Sequence, residues 1–95
     1  MEVVGITTGT KYKIKRLNFG ERNKILDESS IADPETGVIR LMSGTMRALY
    51  IHYGITKPKL SLEDIAKLDE TEGQQLFIAI RNYCFAPLES LQQRS

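Results

Sequence analysis

The chain has 95 residues, 41% of them hydrophobic and 26% charged, with a formal net charge of +1. That length suits a single domain over residues 1–95, and that balance excludes a disordered polar chain and a membrane-embedded one. A pI near 7.8 supplies no overall field that would draw the protein onto nucleic acid.

In chain order, Val3-Val4-Gly5-Ile6 and Tyr12-Lys13-Ile14-Lys15 are short β-favouring runs around the cluster Thr7-Thr8-Gly9-Thr10, so residues 1–17 are expected to form a β-hairpin. In the second run Tyr12 and Ile14 alternate with Lys11, Lys13 and Lys15, which puts apolar and cationic side chains on opposite faces. Asn18 followed by Glu21 has the spacing of a capping box and starts a helix that runs to about Ser29, with Phe19, Arg22, Ile25, Leu26 and Ser29 on its inner side. Asp33-Pro34-Glu35-Thr36-Gly37 is a tight turn. Met42, Met46, Leu49, Tyr50 and Tyr53 then recur at helical spacing, and Gly54 is expected to end that helix in a left-handed conformation. Ser61 with Asp64 caps a short helix, and Asp69 with Glu72 marks the start of another. The last helix turns Leu76, Phe77, Ile80, Tyr83 and Cys84 inward and is expected to stop at Pro87, leaving residues 87–95 as a tail. The expected fold is therefore mainly α (α+β): an N-terminal β-hairpin, then about four helices over 18–86 in a small bundle.

The chemistry that side chains advertise is sparse. One His and one Cys are too few for a catalytic group or a zinc site, so His52 reads as a flanking or surface imidazole and Cys84 as a small buried hydrophobe. No catalytic, cofactor-binding or metal-binding residue is expected, no glycine-rich phosphate loop occurs, and the chain does not read as an enzyme. The lone cysteine, the lack of a long apolar run and the absence of a signal-peptide pattern at Met1-Glu2-Val3-Val4-Gly5 suggest a cytoplasmic protein with no membrane partner. Two patches remain. Lys11, Lys13, Lys15 and Arg16 are a possible nucleic-acid patch, weighed against lysines that protect an edge strand from aggregation, which is the favoured reading. Met42, Met46, Tyr50 and Tyr53 are a core stripe that doubles as the candidate partner-binding face, because Met and Tyr suit adaptable surfaces.

The succession of Ile14-Lys15-Arg16-Leu17, Asp33-Pro34-Glu35-Thr36-Gly37-Val38-Ile39, Met46-Arg47-Ala48-Leu49, Pro58-Lys59-Leu60-Ser61-Leu62-Glu63-Asp64-Ile65 and Glu72-Gly73-Gln74-Gln75-Leu76-Phe77 resembles the small tail assembly chaperones of tailed phages and proviruses. The resemblance spans roughly residues 11–83. It implies a protein that holds apolar helical stretches of a tape measure protein and helps recruit tail tube subunits in the host cytoplasm, self-associating weakly along an extended client. The alternatives are a small nucleic-acid-binding regulator and a structural subunit of a virion or complex.

Overall fold

A computed structural model describes residues 1–94, with side chains through Cys84. Its elements in chain order are β1 (Glu2–Val4), β2 (Lys11–Ile14), α1 (Phe19–Ser29), β3 (Ser30–Ala32), β4 (Ile39–Leu41), α2 (Ser43–Gly54), β5 (Ile55–Lys57), α3 (Leu62–Ala66) and α4 (Glu70–Arg94). The architecture is a small α+β fold, with four helices and an N-terminal antiparallel hairpin.

The caps form where the sequence placed them. Asn18 accepts from the Glu21 amide at 2.8 Å while Glu21 Oε1 accepts from the Asn18 amide at 3.1 Å, and Ser61 with Asp64 repeats the arrangement at the start of α3. Both turns that needed a residue with positive φ have glycine there, Gly9 and Gly37, each at 73°.

β2 is the middle strand of a sheet ordered β1-β2-β5, with both neighbours antiparallel. Val3, Tyr12, Ile14 and Ile55 face the helices, and Glu2, Val4, Lys11 and Lys13 face solvent. Between β2 and β5 the register steps from Ile14 opposite Ile55 to Lys13 opposite Lys57, so Thr56 is an extra residue. A bulge of this kind reverses the facing of the residues beyond it, and here it turns Lys57 outward beside Lys13. The Thr56 hydroxyl donates to the Lys13 carbonyl at 3.1 Å and holds the bulge.

α1 leaves β2, α2 runs back into β5, and at their far ends the two helices are joined by a second antiparallel pair, β3–β4. The three-stranded sheet and this ribbon therefore sit at opposite ends of the α1–α2 pair. α4 crosses α2 and supplies the centre of the core, where Leu76 and Ile80 are 0% exposed beside Ile25, Leu49, Tyr50, Ile51 and Ile65.

Several expectations are corrected. Gly54 is not left-handed; α2 passes straight into β5, and the glycine is needed because a Cβ there would lie 2.7 Å from Ile80 Cγ2. α4 continues past Pro87 to Arg94: proline forgoes one bond, to the carbonyl four residues back, while the neighbouring turns keep theirs. On α1, Ile25 and Ser29 are buried, but Phe19 is 80% exposed and Leu26 also faces solvent.

Candidate functional site

The candidate partner face on α2 is divided by depth. Tyr50 is buried, its ring edge-on to Phe77 with centroids 5.5 Å apart, while Met46 and Tyr53 are half-buried against the core and Met42 is half-buried at the start of α2. Tyr50 is thus a core residue, corrected by α4 packing over it, and the stripe as a whole is not an open surface.

The basic run is also dispersed. Lys11 and Lys13 are exposed on the outer face of the sheet, Lys15 is tied to Glu21 at 2.6 Å, and Arg16 lies over the Tyr83 ring at 5.3 Å. Burial pushes the Glu21 carboxyl up, but the bonds from Lys15 and Asn18 outweigh it and leave its pKa below the usual value. The edge-protection reading of the lysines is corrected, since β2 is the middle strand, paired with β1 along residues 11–13 and with β5 at Lys13 and Ile14. A groove of about 320 Å³ brings Lys15 and Tyr53, one from each candidate patch, together with His52 and Lys59.

His52 is exposed, with Nδ1 3.0 Å from the Leu60 carbonyl oxygen and its ring against Tyr53. Cys84 is half-buried and its sulfur accepts from the Leu17 amide at 3.4 Å. Among the described residues no three His, Cys, Asp or Glu side chains gather as a metal site, and no helix is long and apolar enough to cross a membrane.

Two features were missed in the sequence. The first is Glu72, read there as part of a helix start. Asp69 alone performs that cap, its Oδ2 accepting from the amides of Thr71 at 3.1 Å and Glu72 at 3.3 Å. The Glu72 side chain instead enters the N-terminal turn and is fully buried. Its Oε1 accepts from the amides of Thr7 at 3.1 Å and Thr8 at 2.9 Å, its Oε2 from the Tyr12 hydroxyl at 2.8 Å, and the Thr8 hydroxyl lies 3.0 Å from both oxygens. Burial raises the pKa of this carboxyl, but the donors from Thr8, Tyr12 and Thr7 more than offset it and the net shift is downward. Burial and the adjacent carboxylate push the Tyr12 phenol up. Gly5 lines this socket, where a Cβ would collide with the Glu72 carboxylate. A socket so filled by the chain's own carboxylate is a structural lock.

The second feature is the β3–β4 ribbon. Its register pairs Ser30 with Leu41, Ile31 with Arg40 and Ala32 with Ile39, so Ala32, Ile39 and Leu41 share one face and Ile31 and Val38 the other. Ile31, Val38, Ile39 and Leu41 are all exposed, Ile39 at 69%. The available signal was the alternation on either side of the Asp33–Gly37 turn, in runs too short to stand out. Compared with protein families, with curated proteins and with solved structures, the chain matches none.

Proposed function

We propose that the chain is a non-catalytic protein-binding module that works as the tail assembly chaperones it resembles work, holding apolar helical stretches of a tape measure protein and recruiting tail tube subunits in the host cytoplasm. The observation that supports this reading is the ribbon, with aliphatic side chains exposed on both of its faces. A two-stranded ribbon is marginal alone in water, and contiguous exposed apolar groups mark a contact surface. Each side chain that a client covers fully contributes about 1.5–3 kcal/mol of apolar burial, enough for reversible holding when several act together. The test is Ile39→Ser combined with Leu41→Ser, co-expressed with a tape measure protein. The expected result is a melting temperature close to that of the parent and loss of co-purification with the client. Retained co-purification overturns the reading, as does a variant that unfolds, because the ribbon would then be part of the core.

A further inference from the structure

The charged side chains sort into those the fold uses and those it leaves over. The acidic stretch from Glu63 to Glu72 is consumed internally: Glu63 pairs with Lys67, Asp64 caps α3, Asp69 caps α4 and accepts from the Thr7 hydroxyl at 2.8 Å, Glu70 pairs with Arg47 at 3.2 Å, and Glu72 fills its socket. Among the described residues, Lys11, Lys13, Lys57 and Lys59 meet no carboxylate within ion-pair distance, and neither Asp27, Glu28, Asp33 nor Glu35 meets a cation.

The two unmatched sets lie at opposite ends of the molecule. The lysines occupy the outer face of the three-stranded sheet and the segment just after β5, four cations against the single acid Glu2. The acids occupy the last turn of α1 and the ribbon, four anions against Arg40 and, one turn earlier on α1, Lys24. The eleven-residue α1 separates them by about 16 Å of helix. Placing Lys57 directly across from Lys13 sets like charges side by side, an arrangement that costs stability in the isolated chain and is relieved by an anionic neighbour. Each end also exposes apolar side chains, Val4 and Ile6 at the sheet and, on the ribbon face turned away from Ile39 and Leu41, Ile31 and Val38.

From this juxtaposition we propose that the chain associates head to tail with a second copy of itself, the acidic ribbon end of one molecule seated on the lysine face of the next. Such a contact is heterologous, so each added copy presents a fresh end. The ribbon has two faces, one for the neighbouring copy and one left for a client. The inference extends the protein-binding reading and is separable from it, because it is measured on the purified chain alone.

The test uses sedimentation of the purified protein. At about 1 mM chain and about 20 mM salt the weight-average mass is expected to exceed the monomer by about 1.5-fold or more, returning to monomer near 0.5 M salt where screening is strong. Lys11→Glu, Lys13→Glu and Lys57→Glu together make both ends acidic; Asp27→Lys, Glu28→Lys and Glu35→Lys together make both ends basic. Each triple variant alone should be monomeric, and an equal mixture should associate again. Amide shifts of the unmodified protein, followed against its concentration, serve if a variant does not fold: they should move together at residues 11–13, 57–59 and 27–41. A monomer at every concentration, shifts confined elsewhere, variants that associate like the parent, or a mixture that stays monomeric each overturns the proposal. Tighter binding of short single-stranded DNA than of a second copy to the lysine face overturns it also, and assigns that face to nucleic acid.

Discussion

Glu72 accepts hydrogen bonds from two amides and two hydroxyls while shut off from water, and a charged acceptor in that position contributes more than a neutral one. Glu72→Gln keeps the shape but turns a donor toward groups that themselves donate, and is expected to lower stability by about 2 kcal/mol, read from denaturant unfolding. The pH dependence has a definite sign. The folded pKa of Glu72 is depressed, so its stabilisation is complete above the unfolded value near 4.5 and is lost as pH falls through the folded value. The gap in stability between parent and Glu72→Gln should therefore narrow progressively below pH 4.5. A gap that stays constant to pH 2 would show that the charge contributes nothing. Tyr12 works in the opposite sense: its raised pKa makes its share full below 10.0 and lost as pH rises beyond it.

At the scale of elements, glycines and core residues separate what the ribbon does from what α4 does. Gly54→Ala puts a methyl into Ile80 and should cost about 1–3 kcal/mol, whereas Ile39→Ser on the ribbon should stay within about 0.5 kcal/mol, both read from the same unfolding curves. An equal loss at the two sites would place the ribbon in the core. This contrast also marks what the sequence could disclose. The helix starts were legible because a capping box is a local chemical agreement between residues three apart, and Asn18 with Glu21 or Ser61 with Asp64 needs nothing else. Leu76 and Ile80 were legible from helical spacing. β5 was not, because Ile55-Thr56-Lys57 comes after a helix without any break and becomes a strand only by pairing with β2, forty residues away. Gly54 does end α2 as its position suggested, but without a left-handed turn, and nothing in the sequence signalled that Ile80 would press on it. The role of Glu72 was hidden for the same reason: an acid in a first helical turn already has a local explanation. The stripe on α2 was legible as core, but periodicity identifies a face without telling how deeply each residue is covered, and here Phe77 of α4 lies against Tyr50.

The whole molecule is more extended than its length requires. Its radius of gyration, 14.8 Å, exceeds the roughly 12–13 Å of a compact chain of this size, in keeping with a 25-residue α4 and a ribbon carried at the far end of two helices. A body with unlike ends set apart by a helical pair is suited to repetition along a line.

The socket around Glu72 has a further consequence, for the time course of folding. Its donors and acceptor lie about sixty positions or more apart in the chain, and β2 cannot gain its second neighbour until residues 55–57 arrive. Most of the helical contacts are local and form early, whereas loop closure must be met before these distant groups reward it. The lock is therefore expected to close after the rate-limiting barrier. In a chevron experiment Glu72→Gln should leave the refolding arm within about twofold of the parent and place nearly all of its destabilisation in the unfolding rate, about tenfold or more at 2 kcal/mol. A slowed refolding arm with an unchanged unfolding arm would mean that the socket belongs to the folding nucleus.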